Sequence, residues 1–145
     1  MAFAIERTYD GRGLFPEECI ASGTLVSGEL IALTAGAGLP TGTACGATAV
    51  PHGIVVQGGL TTTTCTFVRI LPGDIMVANA TAADGTAAMS AGEITSCIAL
   101  VGTQVMKVSA TALTFDGVST TGGKLELVSF YSSKVKARVR VPIVS

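Results

Sequence analysis

Charged residues are scarce in this sequence. Asp, Glu, Lys and Arg make up 13% of the 145 residues, about half of the roughly 25% that is typical of soluble globular domains. Hydrophobic residues reach 48%, so the surface has to be completed largely by Thr, Ser, Gly and Ala. Such a surface is better suited to contact with neighbouring subunits than to full solvation. We therefore expect an oligomer or a component of a larger assembly.

The sequence also lacks the marks of a nucleic-acid or membrane partner. Its net charge of −1 argues against binding that depends on neutralising phosphates. No apolar run approaches the roughly 18 residues of a membrane span, and the first residues lack the basic and apolar regions of a secretory signal. We expect neither kind of partner, and we expect a protein that is made without export.

Residues that commonly carry chemistry are few. His52 is the only histidine, tryptophan is absent, and the four cysteines include no CxxC pair, which argues against a zinc site and against stacking platforms for bases or sugars. We expect His52 in a turn and the cysteines as small buried apolar residues. The glycine-rich stretches 36–42 and 117–124 miss the spacing of nucleotide-binding loops. The sequence thus predicts no catalytic residue, cofactor, metal site or small-molecule substrate.

From Ser22 onward, short apolar runs alternate with turn residues. Examples are GIVVQGG, CTFVRILPGD and EITSCIALVG. Gly and the β-branched residues Thr, Val and Ile interrupt almost every window that is long enough for an amphipathic helix, so helix signals are poor. The pattern predicts an all-β, single-domain sandwich or barrel over residues 22–145, with long Gly/Ala/Thr loops over 36–51 and 80–92.

Three short stretches place a glycine, an acid and an aliphatic residue in succession. They are Gly28-Glu29-Leu30, Gly73-Asp74-Ile75 and Gly92-Glu93-Ile94. Glycine permits a tight turn, the acid can accept hydrogen bonds from the backbone of that turn, and the aliphatic residue begins a buried face. We interpret each stretch as a turn that leads into a strand.

The N-terminal segment differs in character from the body. Its alternation of larger with small or polar residues defines one edge of an extended segment, and two glycines then break the pattern. The alternating residues are Phe3, Ile5, Arg7 and Tyr9. We predict an arm and hinge over 1–21 that stands apart from the body, with a core strand as the alternative. Such an arm can add a strand to a partner's sheet, anchored by Phe3, Ile5 and Phe15.

The last strand-like segment is basic on one face and apolar on the other. The cations are Lys134, Lys136, Arg138 and Arg140. Because the first 29 residues are net acidic, the two ends are complementary, and these charges either pair the ends of neighbouring subunits or decorate two exposed strands. The basic face itself is interpreted either as protection of a sheet edge or as a surface for an acidic partner.

Several phrases in the body of the chain carry a family resemblance. They are TLVSGELIAL, AVPHGIVVQGG, LPGDIMVANA and AGEITSCIAL, between about Ser22 and Val108. The run of phrases resembles bacteriophage capsid decoration proteins, also called cement or head-stabilising proteins, which are small β proteins rich in Gly, Ala, Thr and Val. The resemblance does not extend to the basic C-terminal strand.

The resemblance implies a β-tulip-like body and a homotrimer that binds the major capsid protein on the outer surface of an expanded icosahedral capsid. There it would stabilise the shell against internal DNA pressure, so its expected location is the virion, after assembly in the host cytoplasm. We expect contacts with the capsid or between subunits at Phe3, Ile5, Arg7, Tyr9, Phe15, Lys134, Lys136, Arg138 and Arg140. The alternatives are another self-assembling shell or surface structural protein and a small β-barrel binding module.

Overall fold

The computed structural model describes residues 2–104, 106–119 and 121–143, and these residues are mostly in strands, turns and loops. The all-β prediction is confirmed, as a closed barrel joined to a curled sheet. The strands are β1 (Ala4–Arg7), β2 (Pro16–Ala21), β3 (Leu30–Thr34), β4 (Thr41–Ala44), β5 (Gly53–Gln57), β6 (Thr64–Arg69), β7 (Ile75–Thr81), β8 (Lys107–Val108), β9 (Phe115–Asp116), β10 (Glu126–Phe130) and β11 (Lys136–Arg140). The helix α1 spans Ala91–Ile98.

The barrel consists of five strands in the order β2-β4-β3-β5-β6, closed by pairing of β6 with β2. The pairing of β2 with β4 is parallel, and the other pairings are antiparallel. Alternate residues of β2, β3, β5 and β6 point inward, and together with Leu25, which pairs with Gly59 outside the strands, they form a small core. Its members are Cys19, Ala21, Leu25, Ile31, Val55, Cys65 and Phe67. The strand β4 lies inside the predicted loop 36–51, because the pairing with β2 and β3 organises a segment that has no apolar periodicity of its own.

The sheet has the strand order β10-β11-β7-β9-β8. Strand β1 pairs with the first residues of β7, on the edge opposite β11, whereas β9 pairs with the last residues of β7. Met106 and Leu125 exchange backbone hydrogen bonds of 3.2 and 3.1 Å, which brings the two ends of the sheet together and curls it. A second core contains Met76, Phe115 and Leu127 from the sheet. Leu30 and Ile54 of the barrel strands pack into the same core, so barrel and sheet are joined through shared apolar burial.

In the structure, the N-terminal segment contains a strand of the sheet, which was the alternative to a separate arm. Strand β1 pairs antiparallel with β7, with Ala4 opposite Val77. Phe3 is buried in the second core, and its N–H donates to the Gly28 carbonyl at 3.1 Å. Residues 16–21 form the barrel strand β2. The segment 1–21 therefore belongs to the body where it is described, because Phe3 and the β2 residues find apolar neighbours within the same chain.

The predicted alternation of the C-terminal strand is present from residue 136 to residue 140. Ala137 and Val139 are buried, whereas Lys136 and Arg138 are partly exposed. However, β11 lies between β10 and β7, so its cations do not protect a sheet edge. Lys134 precedes the strand, in a turn where its φ is +61°.

The three glycine–acid–aliphatic stretches share one hydrogen-bond pattern. Each acid accepts the backbone N–H of the residue three positions before it. The donors are Val26 to Glu29, Leu71 to Asp74 and Ser90 to Glu93, at 2.9, 2.8 and 2.8 Å. The first two stretches lead into β3 and β7, with φ of +91° at both Gly28 and Gly73, as predicted.

The third stretch begins the helix α1 instead of the strand that EITSCIALVG predicts. Ser90 accepts the Glu93 N–H while Glu93 accepts the Ser90 N–H, which completes a capping box. The glycine here does not have the positive φ of the other two, so the chain continues into a helical turn. The Ser-x-x-Glu pattern at residues 90–93 was the available signal for this helix.

Gly53 tests the packing of the barrel. A Cβ at this position would lie 2.6 Å from a ring carbon of Phe67 and 3.0 Å from the Val68 carbonyl oxygen. We expect Gly53→Ala to lower the free energy of unfolding by about 1–3 kcal/mol through overpacking, measured by urea denaturation. The matched control is Gly23→Ala, where a Cβ meets nothing within 4 Å and the change is expected to be neutral or slightly stabilising. Equal stability of the two variants would contradict the packing of Phe67 against β5.

Candidate interaction surface

The basic C-terminal strand is matched by acids of the same chain. The Nε of Arg138 donates to the Glu6 carboxylate at 2.9 Å, and Tyr131 donates its hydroxyl to the same carboxylate. These hydrogen bonds, that of Tyr131 first and then that of Arg138, lower the pKa of Glu6. Arg140 pairs with Glu126 at 3.1 Å. The complementary ends of the sequence therefore meet within one chain, because β1 and β11 both pair with β7.

The aromatic ring of Tyr131 lies against two cations of this face, Lys136 and Arg138. The Lys136 ammonium lies 4.4 Å and the Arg138 guanidinium carbon 4.0 Å from the ring centroid, within the range of cation–π attraction. With Arg138 and Arg140 already paired, the strand presents less free positive charge than its sequence indicates. This arrangement argues against the hypothesis that the four cations bind an acidic partner.

A buried carboxylate lies near the opposite end of β1. The Asp74 side chain is inaccessible to solvent. It accepts hydrogen bonds from both terminal nitrogens of Arg12 and from the backbone N–H groups of Tyr9 and Leu71. Burial opposes ionisation, yet these bonds outweigh it and lower the pKa of Asp74. One acid therefore ties the segment 9–12 to the turn that precedes β7.

Arg12 and Arg69 extend this network toward Phe15. Arg12 also donates to the Arg69 carbonyl at 3.2 Å, and the Arg69 guanidinium makes two hydrogen bonds of 3.0 Å to the Glu17 carboxylate. Phe15 lies in the sequence between the anchored residues Arg12 and Glu17, and its side chain is 76% exposed. Aromatic residues, phenylalanine among them, are enriched at protein–protein interfaces relative to the rest of the surface.

An apolar groove adjoins Phe15. It has a volume of about 270 Å³ and runs between β1 and the β5–β6 hairpin. Residues that line it include Phe3, Ile5, Leu14, Ile54, Val56 and Val68. In the part of the chain that the structure describes, β1 pairs with β7 alone, so its other side borders this groove.

A second cleft of about 270 Å³ lies beside the groove and shares Leu14 with it. Phe15 and Leu71 line this second cleft. We refer to the exposed apolar residues of the two adjoining clefts as the Phe15 face. They are Leu14, Phe15, Val56 and Leu71.

The structure distributes the predicted contact residues unevenly. Phe3 is buried in the core and Ile5 is partly buried, whereas Arg7, Tyr9 and Phe15 are exposed. The four C-terminal cations lie on the sheet or in the turn before it, and Arg138 and Arg140 are engaged with Glu6 and Glu126. Leu14, Val56 and Leu71 were missed, because a single apolar residue in a loop or at a strand end carries no sequence signal of exposure.

The four cysteines and His52 are the remaining groups that commonly carry chemistry. All four cysteines are buried and free, as expected, and burial raises the pKa of the Cys45 and Cys97 thiols to about 11. His52 is exposed, and its Nδ1 accepts the Leu33 N–H at 2.9 Å. Over residues 2–104, 106–119 and 121–143, no group of three His, Cys, Asp or Glu residues is arranged to hold a metal ion. Within the same ranges no helix is long and apolar enough to cross a membrane.

No family model, curated protein or solved structure matches this chain. The candidate surface therefore rests on the geometry of the chain itself. Its distinguishing features are the exposure of Phe15, the groove beside it, and the ion pairs on both sides of Phe15 that hold the segment carrying it.

Asp74 is expected to make the stability of the protein depend on pH. Its pKa is lowered in the folded state, so its stabilising contribution is present above the ordinary carboxyl pKa of about 3.9 and is lost as pH falls through the lower folded value. We expect Asp74→Asn to lower the free energy of unfolding at pH 7 by about 1.5–3 kcal/mol, typical of hydrogen bonds to a charged group. The difference from the unmodified protein should shrink in acid, as measured by urea denaturation from pH 7 to pH 2.

Asp84→Asn is the matched control for this experiment. Asp84 is an exposed turn acid that accepts the N–H groups of Thr86 and Ala87 at 3.0 Å. Its replacement is expected to change stability much less than replacement of Asp74, because water can substitute for its bonds. If Asp74→Asn lowered the free energy of unfolding by no more than Asp84→Asn does, the stabilising role of the buried carboxylate would be contradicted.

Proposed function

We propose that this protein is a structural virion protein, a decoration or cement protein that binds the outer surface of an expanded icosahedral phage capsid as a homotrimer. The observation that carries the proposal is the Phe15 face, an exposed apolar surface that includes an aromatic residue, on a chain in which only 13% of residues are charged. The sequence phrases that resemble decoration proteins supply the kind of assembly.

The chemistry of the Phe15 face favours a protein as its partner. Aromatic residues in well-packed surroundings contribute most of the binding energy at many protein interfaces, with polar residues at the rim. Phe15 and Leu14 provide the apolar part, and the Glu17–Arg69 pair lies at the rim. The surface therefore supports a binding and assembly role.

Repetition makes such a role effective. A trimer that contacts several capsid subunits gains a high effective concentration at each further contact, so the total avidity can exceed single-site affinity by about 10²–10⁴. Modest contacts between each copy and the capsid are then sufficient for stable decoration. The physical result would be a clamp that links neighbouring subunits of the shell.

The route of capsid binding differs from the one that the sequence favours. Residues 4–7 pair with β7 and Phe3 lies in the core, so the first strand is not free to leave the body and join a capsid subunit. Binding through the folded surface, including the exposed residues Arg7 and Tyr9, replaces the arm in this proposal. Deletion of the first ten residues is consequently unsuitable as a test, because it would remove a sheet strand.

The test combines native mass with co-sedimentation. Size exclusion with light scattering, over a dilution series and at two salt concentrations, is expected to give three chain masses. The same protein is expected to co-sediment with empty expanded capsids built from the major capsid protein encoded in the same genome, and to saturate at a fixed ratio to capsid subunits. Capsids without added protein, and added protein without capsids, are the controls. An oligomer that fails to co-sediment at either salt concentration would contradict the proposal and leave another self-assembling structural role.

A further inference from the structure

The chain carries a protruding apolar side chain and an apolar groove side by side. Phe15 is 76% exposed, and the groove between β1 and the β5–β6 hairpin begins at its neighbour Leu14. Because the protrusion and the cavity belong to one chain, each copy can insert its protrusion into the cavity of the next, and such head-to-tail contacts can close into a ring of three. Whether they do so depends on how firmly the protrusion is held and on what the cavity accepts.

The protrusion is anchored on both sides. Three residues before Phe15, Arg12 is bound to the buried Asp74 carboxylate, and two residues after it, Glu17 is bound to Arg69. The ring also lies against the backbone of Gly13, where an added Cβ would be 3.3 Å from a ring carbon. A segment that is ordered before binding loses less conformational entropy when it docks. The backbone segment that carries Phe15 is therefore held in place on both sides.

The groove is suited to a phenyl ring. Its volume is about 270 Å³ and most of its lining residues are apolar, so a ring that enters it removes apolar surface from water. None of the residues that line it is charged, so an aromatic ring that enters leaves no ion buried without a partner. Val56 and Leu14 are the exposed parts of its wall.

We infer that Phe15 of one copy inserts into the groove of a second copy of this chain. The inference rests on the proposed function, in which the protein acts as an oligomer, and it names the surface through which the copies associate. Phe15 is the protruding residue, and Val56 marks the receiving groove.

The charges around the Phe15 face favour a second copy as the occupant. The cations Arg12 and Arg69 are each paired with an acid of the same chain, Asp74 and Glu17 respectively. The Phe15 side of one copy can therefore approach the groove side of the next without the like-charge repulsion that would accompany a face of one sign. Glu17 and Arg69 are both partly exposed, so each can also exchange its partner for the opposite charge of the neighbouring copy at the rim.

Phe15→Ser tests the protrusion. We expect this variant to be monomeric by light scattering at concentrations where the unmodified protein is an oligomer, and to unfold at a similar urea concentration because the side chain is exposed. The matched control is Leu60→Ser, which removes another large exposed side chain, 69% accessible, outside the groove and the adjoining cleft. This variant is expected to keep the native mass of the unmodified protein.

Val56→Asp tests the groove, and mixing the two variants tests their complementarity. An aspartate in the apolar groove should prevent insertion of Phe15, so this variant is also expected to be monomeric. Each variant keeps the element that the other has lost. An equimolar mixture is therefore expected to form a heterodimer, detected as two chain masses and by co-purification through a tag on one variant, whereas neither variant alone should self-associate.

The outcomes separate this inference from the proposed function. A monomeric unmodified protein, an oligomeric Phe15→Ser variant, or a mixture without heterodimer would overturn the insertion of Phe15 into a second copy. An oligomeric Phe15→Ser variant that has lost co-sedimentation with capsids would assign the Phe15 face to the capsid and leave decoration intact. A monomeric Phe15→Ser variant whose capsid avidity falls by about 10²-fold or more would support both, and loss of self-association in a protein that never binds capsids would support the inference alone.

Discussion

The buried ion pair between Asp74 and Arg12 is the interaction on which the arrangement of this protein depends most. A carboxylate without solvent access is tolerated only when it is paired and hydrogen-bonded, and Asp74 meets this requirement with donors from two separate segments. It stands immediately before β7, the strand to which β1, β9 and β11 all pair. The same contact therefore fixes the start of the central strand and the path of the segment that carries Phe15.

Packing around this centre relies on small residues and shared apolar surface. Gly42 and Gly53 let the barrel strands approach Cys19 and Phe67, at positions where a Cβ would come within 2.7 and 2.6 Å of those side chains. The outer side of the barrel contributes to the core of the sheet. Both cores are built from aliphatic, aromatic and sulfur side chains, with no cross-link among the cysteines. A chain of this length can bury enough surface to be stable in this way.

The exposed features follow from what the fold leaves uncovered. Glu6 pairs with Arg138 and Glu126 pairs with Arg140 within the sheet. Charge of the acidic N-terminal segment is therefore compensated by the basic C-terminal strand of the same chain. What remains for a partner is mainly apolar: Phe15, the groove at its side, and a rim of paired charges. Assembly on a shell or with further copies of the chain draws on this surface.

Local sequence patterns are sufficient to predict the class of the fold and the chemistry of its turns. The alternation of apolar runs with turn residues predicted an all-β protein, and the glycine–acid–aliphatic stretches predicted acids that bond to their own turns, because these properties depend on neighbours within a few residues. The helix at 91–98 was missed for a local reason, since the capping box at Ser90 and Glu93 competed with a strand-like run of Ile and Thr.

Which of these segments meet is apparent only in the folded chain. The tertiary structure placed β1 in the sheet instead of in an arm, put β11 in the interior of the sheet, and matched Glu6 with a cation 132 residues away. It also placed Leu14, Phe15 and Leu71 in one cleft and Leu14 and Val56 in the groove beside it. Pairing between distant strands depends on the total burial and charge compensation of the whole chain, and no short window of sequence contains that information.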